Sequence, residues 1–443
     1  MLTLPLYRAL IRHKKSKKIS FHTPGHKNKN KILNKKIYQL DYTELPDTDS
    51  LYESNTVIKA AEKNMSLIYN TESTIFSAGG CTLCIQTMLK LALPYGGKVI
   101  ASRMIHKSAV NTMSLLNAEV IWIMPHIKKD TNNWTQITAK EIEEQLNNNP
   151  DTSCVYITSP DYYGHIADIK QISIICKKHN VPLLVDNAHG SHLKFLSKDM
   201  HPITLGADMC TDSIHKTLPV LTGGALLHIS NKKYIHKAKS EMSIFGSTSP
   251  SYPIMASIDL CNFWLKKDGQ KAFCNLEKDI LKIKEQAKKR GLLDESETSD
   301  PIRISINTAK IGLSGHAAAE YFRKTGIEPE MSDNEHVVFI ATPMNSKKEL
   351  LRLKQAIENI PKKEPLNLTQ PILSIPTTNK SLHESIFSDF EQIKVTKSLG
   401  RTSARTVCPC PPGIPILVPG EIINENSIKI LVDYGIFLID VLK

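Results

Sequence analysis

Between residues 73 and 186 the sequence alternates short apolar runs with stretches of helical spacing, and nothing else restricts the fold as much. Residues 74–78 form an apolar run of strand length. Residues 82–93 then place Ile85, Met88, Leu89 and Ala92 at the three- and four-residue intervals of one buried helix face. Residues 98–101, 120–123, 154–158 and 182–186 read as further strands, with helices over 107–116, 139–146 and 169–178 between them. Neighbouring parallel strands need a crossover, usually a helix. The alternation therefore predicts an α/β fold built on a mostly parallel, doubly wound sheet. Ligands of such sheets bind outside the carboxyl ends of the strands. Asp186, Ser159 and the loop after Ala78 are expected at that edge.

Downstream, residues 251–290 read as a long helical connection loosened at Gly269. The polar, acidic stretch 291–300 is the expected boundary before a smaller C-terminal α+β domain, with elements over 302–307, 316–325, 336–341 and 347–360. The expected division is an N-terminal arm at 1–50, a large domain at 51–295 and a small one at 296–443. At 443 residues and 41% hydrophobic content, the chain can bury the core that two domains require.

The net charge of +12 is local. Residues 1–36 hold 11 Lys and Arg and no acid, whereas the remainder holds 45 basic against 44 acidic residues. The arm carries one short amphipathic helix, near residues 4–12. It lacks the aromatic platform of a single-strand binder, so it reads as a solvated basic face and nucleic acid is not the expected partner. No run approaches the ~18 apolar residues of a membrane span. The N-terminus lacks a leader's charged-then-apolar order. Nine cysteines without framework spacing fit reduced thiols, and together these features point to a cytoplasmic protein with no membrane partner.

The chemistry centres on Lys216, in Ser213-Ile-His-Lys216-Thr-Leu218, after a short strand at 207–211. Burial favours the neutral amine, the nucleophilic form needed for a Schiff base. Asp186, 30 residues upstream, ends an apolar strand. An acid at one strand end and a lysine after the next strand suit pyridoxal phosphate, with the acid pairing the ring nitrogen. Gly79-Gly-Cys-Thr82 lies between a strand and a helix, where free backbone N–H groups and the helix dipole attract an anion. Gly80, Cys81 and Thr82 are thus candidate phosphate ligands. The same stretch contains Cys81-Thr-Leu-Cys84, a C-x-x-C that reads alternatively as a redox pair or, with Cys408 and Cys410, as metal thiolates. His189 and His192 form an H-x-x-H without a third ligand at suitable spacing, so no metal is expected.

Asp186-Asn-Ala-His-Gly190 and Ser213-Ile-His-Lys216 together resemble the Orn/Lys/Arg decarboxylase family, pyridoxal phosphate enzymes of fold type I. His22-Thr-Pro-Gly-His-Lys27, Ser159-Pro-Asp-Tyr-Tyr-Gly164, residues 248–257, Pro411-Pro-Gly-Ile-Pro415 and Pro419-Gly-Glu421 resemble the same family in the same order. The resemblance implies decarboxylation of arginine, lysine or ornithine, amino acid substrates whose amines belong to polyamine biosynthesis, by a homodimer or larger homo-oligomer in which the basic arm, over residues ~13–36, packs against a second subunit near the active site. It also implies that His106 stacks on the cofactor ring, that Ser108 orients His106, and that Ser213 and His215 contact the phosphate. Ala188 would underlie the ring, with His189 beside it, and Thr248 would reach phosphate from a partner subunit. Tyr162 would wall the substrate pocket, and Glu421 would receive the substrate's distal cation if it is not simply exposed.

Four positions depart from the family pattern: Gly79, Cys81, Asn187, which removes a charge near Asp186, and Cys410. Two other classes remain open at this stage. One is a different fold type I reaction, such as an aminotransferase or lyase, and the other is a non-catalytic descendant that binds a partner.

Overall fold

The computed structural model describes residues 19–21, 40–45, 47–128, 133–293, 299–366, 368, 374–409 and 414–443. The expected helix near 4–12, the turn at 22–27, Cys410 and residues 411–413 lie outside them.

A seven-stranded mixed sheet forms the centre, flanked by helices. Its strands are β1 (Ser73–Ser77), β2 (Lys98–Ser102), β3 (Glu119–Ile123), β4 (Thr152–Thr158), β5 (Leu183–Asp186), β6 (Met209–Asp212) and β7 (Ala225–Ile229), in the spatial order β1-β7-β6-β5-β4-β2-β3. Only β7 runs against its neighbours, pairing antiparallel with both β1 and β6. Helix α1 (Val57–Tyr69) leads into β1, and the crossovers include α2 (Gly80–Ala92), α3 (Lys107–Leu115), α4 (Ala139–Asn148) and α5 (Ile169–Lys178). The strands read as near-continuous apolar runs because both faces are covered. Leu183, Leu184 and Val185 of β5 have no exposed surface. Fold class therefore follows the reading of the alternation, with boundaries shifted by a residue or two, as where the strand anticipated at 207–211 runs from Met209 to Asp212.

Helix ends explain much of the local order. Thr138 and Ser346 each cap a helix through a reciprocal pair with a Glu three residues on. Helices Tyr252–Trp264 and Gln270–Lys289 are joined through a π-turn at Leu265–Gly269, so the loosening at Gly269 appears as a widened turn, not a break.

Residues 303–307, 331–332 and 336–340 form a three-stranded antiparallel sheet, and Phe390–Lys394 pairs with Leu438–Leu442. The largest core runs from Phe21 through Ile306 to Ile360, and a separate cluster around Leu417 and Leu431 serves the C-terminal segment. Ile19–Phe21 pairs in parallel with Ile327–Pro329, and Phe21 is buried edge-on against Phe339. Residues 19–21, part of the arm expected to pack on a second subunit, thus pair with their own chain.

Candidate active site

The carboxyl ends of β4, β5 and β6 and the N-terminus of α2 surround a cavity of about 230 Å³. Gly80, Cys81, Thr82, His106, Tyr162, Asp186, Ala188, His189, Ser213, His215 and Lys216 all line it, so eleven of the thirteen residues expected to touch cofactor or substrate meet in one place. A larger cavity of about 370 Å³ lies behind Arg303 and contains none of Lys216, Asp186 or His106.

Lys216 and Asp186 face the cavity from adjacent strand ends. Lys216 Nζ lies 2.8 Å from His189 Nε2 and 5.8 Å from the Tyr162 ring centre. Burial pushes its amine below the ordinary lysine range, against Cys81, Asp186 and Glu330, which favour the cation. Asp186 is buried at the end of β5 and accepts from the Ala188 N–H at 3.1 Å and from Tyr156 Oη at 3.4 Å. Burial raises its carboxyl, with His106, the Ala188 N–H and Lys216 opposing. Among the described residues no cation forms an ion pair with this carboxylate within 4 Å.

The surrounding groups are fixed by short-range contacts. His106 caps α3, its Nδ1 lying 2.7 Å from Ser108 Oγ and accepting from the Ser108 N–H, so Ser108 does orient the ring. Burial lowers the pKa of His106. His215 Nδ1 lies 3.0 Å from the Gly224 carbonyl, which turns its other nitrogen away from that contact. Among the described residues no side chain caps the first turn of α2, and Gly80 enters it with a φ of 73°, a left-handed conformation that favours glycine. The Ser159–Pro160 bond is cis, and the loop it begins brings Asp161 and Tyr162 to the cavity wall.

These features fit pyridoxal phosphate. Asp186 offers a buried anion to a cationic ring nitrogen, Lys216 offers an amine to the aldehyde, and the uncapped turn at Cys81 and Thr82 offers donors to the phosphate. The buried Thr158 hydroxyl, also in the lining, has no hydrogen-bond partner among the described residues. The redox reading of Cys81-Thr-Leu-Cys84 does not fit. Burial pushes both thiols up, Cys84 to about 12, whereas a redox pair needs a lowered value.

Two of the thirteen residues lie elsewhere. Glu421 is neither exposed nor available to a substrate cation. It is buried, and its two oxygens accept from Arg103 Nη1 at 2.8 Å and Nη2 at 2.7 Å. A carboxylate already saturated by a bidentate guanidinium has no charge to offer, so the substrate-recognition reading of Glu421 is corrected. Thr248 is exposed on the loop before Tyr252 and does not line this chain's cavity.

The charge missing at Asn187 reappears one strand away. Asn187 Nδ2 donates to Asp212 Oδ1 at 2.6 Å. Asp212 Oδ2 lies 3.0 Å from His201 Nε2 and 3.4 Å from His228 Nε2. His201, Cys210 and Asp212 lie close enough together to hold a metal, but Asn187 Nδ2 and His201 Nε2 already occupy the two carboxylate oxygens. Sequence reasoning missed Arg303, whose guanidinium contacts His189. The available signal was a lone charge within the apolar alternation Ile302-Arg-Ile-Ser-Ile306.

Comparison with known proteins agrees with this geometry. Residues 4–303 match the family profile described as Orn/Lys/Arg decarboxylase, major domain, and residues 369–440 match its C-terminal domain. The chain is 30% identical to the uncharacterised protein YaaO of Bacillus subtilis, covering 97% of this chain and 93% of that one. It is 28% identical to the arginine decarboxylase of the same organism, covering 96% and 92%. In fold it resembles the constitutive lysine decarboxylase of Escherichia coli, with a TM-score of 0.76 at 19% identity over 100% of this chain and 82% of the other. Serine palmitoyltransferase of Sphingomonas wittichii follows at 0.61 and 16%, over 77% and 86%. A buried lysine and aspartate at adjacent strand ends, an anion-ready helix turn and a profile match over most of the chain lead to one conclusion: the protein belongs to the Orn/Lys/Arg decarboxylase family and is a pyridoxal phosphate-dependent decarboxylase.

Proposed function

We propose that the substrate is arginine, converted to its amine and carbon dioxide, with Lys216 as the cofactor lysine and Asp186 as the partner of the ring nitrogen. The observation carrying the site assignment is the placement of a buried Lys216 amine and a buried Asp186 carboxyl in the lining of one cavity. Arginine is preferred over lysine and ornithine because relatives named arginine decarboxylase share 27–28% identity over 92% or more of their length, against 21% or less for those named lysine decarboxylase.

When bound, the cofactor supplies an electron sink for the pair released with the carboxylate. The chain does the rest. Asp186 stabilises positive charge on the ring nitrogen, the more strongly because water is excluded. His106, held by Ser108, presents a flat face to the cavity, and Ala188 leaves room beneath. The backbone donors at Cys81 and Thr82, with Ser213 and His215, hold the phosphate. The exposed Thr248 serves the phosphate of a neighbouring subunit in a homo-oligomer, in which the body at 51–295 carries the cofactor.

The test is carbon dioxide release from arginine, lysine and ornithine by the purified, cofactor-loaded protein. Arginine should give the highest kcat/KM. Preference for either of the others overturns the substrate, and release from none overturns the proposed function.

A further inference from the structure

We propose that Arg303 is a positioning residue for Lys216: it holds His189 in the tautomer protonated on Nε2, and that proton is donated to a Lys216 amine that is neutral. The inference rests on Lys216 being the cofactor lysine.

A guanidinium has five donors and no acceptor. Arg303 Nη1 and Nη2 stand 3.3 and 3.4 Å from His189 Nδ1, so Nδ1 must accept. An imidazolium would turn a proton on Nδ1 toward the guanidinium and is disfavoured. The neutral ring then carries its proton on Nε2, 2.8 Å from Lys216 Nζ. An ammonium has only donors, so a charged Lys216 would set donor against donor across that contact. Only the free amine, with its lone pair, completes the series.

Arg303 is held so that it has little alternative. Nη1 donates to the Tyr162 carbonyl at 3.3 Å and Nη2 to the His189 carbonyl at 3.2 Å. Nε lies 3.8 Å from Asp300 Oδ2, while Asp300 Oδ1 meets His192 Nε2 at 2.9 Å and the Ile302 N–H at 3.0 Å. The stem packs on Gly164, whose φ is 98° and where a Cβ would come within 2.8 Å of Arg303 Cγ. A glycine there permits both the backbone conformation and the close approach.

Other groups facing Lys216 act in both directions. Asp186, Cys81 and Glu330 favour the cation, while Arg303 disfavours it. His106 and His215 also bear on the site. Burial pushes both Lys216 and His189 toward their neutral forms, in agreement with the hydrogen-bond directions.

The experiment uses the full-length protein, stripped of cofactor and shown by circular dichroism to remain folded. Pyridoxal phosphate is added across a range of pH. The amine lone pair attacks the aldehyde carbon and water leaves. Borohydride then traps the imine, and peptide mapping gives the site and the rate.

In the parent protein, label should accumulate on Lys216 through neutral pH. In Arg303→Met the profile should move up by about one pH unit, which slows capture about tenfold near pH 7, and His189→Asn should move it the same way. Label on Lys216 with superimposable profiles overturns the role of Arg303 alone. Label on another lysine overturns the assignment of Lys216 and the inference with it. If Arg303→Met does not fold, the ¹⁵N imidazole spectrum of the parent decides, with His189→Asn identifying the signal. A proton on Nε2 is expected, and a proton on Nδ1 overturns the proposal.

Discussion

Arg103 and Glu421 lie 318 positions apart in sequence and form a bidentate pair, both side chains about 1% exposed. Arg103 also donates to the Pro415 carbonyl at 3.0 Å, and Glu421 accepts from the Val418 N–H at 2.8 Å. The pair therefore clasps the segment 415–421 to the end of β2, three residues before His106. Removing one partner leaves a buried charge unmatched, which costs about 3–5 kcal/mol. Glu421→Ala should lower stability by that order in urea unfolding, with no change in the ranking of arginine, lysine and ornithine by kcat/KM. A changed ranking would return Glu421 to substrate recognition. Arg103→Met combined with Glu421→Leu should recover part of the loss.

Lys216→Ala removes the amine but little packing. The variant should fold, as judged by an unchanged far-ultraviolet spectrum, and should retain no turnover. Borohydride should label the parent on the peptide containing Lys216 and leave the variant unlabelled.

Asp186→Asn keeps the shape of the β5 end but withdraws its negative charge. The variant should still take up cofactor, more weakly, and should lose most of its kcat because a neutral amide does not hold a proton on the ring nitrogen. Activity within about twofold of the parent, a difference of less than ~0.5 kcal/mol in barrier, would contradict the assignment.

Acid should weaken the fold through the buried Asp300 and the partly buried Asp333. Burial pushes Asp300 upward, but His192 and Arg303 outweigh it and hold it at about 2. Asp333 is likewise held at about 2, where His336 and Tyr163 overcome burial. Both values lie below those of the unfolded chain. The stabilisation is therefore complete above pH ~4 and lost as pH falls through about 2, at roughly 2 kcal/mol per carboxyl. Urea midpoints should fall steadily over that window. Asp300→Asn should start less stable at neutral pH and show a shallower acid slope.

Phe21→Ala tests whether the basic arm is anchored on its own chain. The side chain is fully buried against Phe339, and its removal should cost about 3–5 kcal/mol. Destabilisation should be independent of protein concentration. A strong dependence would mean that the strand at 19–21 docks on a second subunit instead.

The sequence by itself determined the layered sheet, because apolar runs and helical spacing are local properties of neighbouring residues. The helix at 169–178 and the disturbance at Gly269 were legible for that reason. So was the gathering of Asp186, Lys216 and Gly80–Thr82, since alternating topology brings strand ends to one edge whatever the details of packing. Tertiary structure alone decided the fate of individual charges. Glu421 meets Arg103, the anion absent at Asn187 stands at Asp212, and Arg303 reaches His189 across 114 positions. Each of these contacts depends on which buried donor finds which acceptor after the layers have closed, and no local pattern encodes that choice.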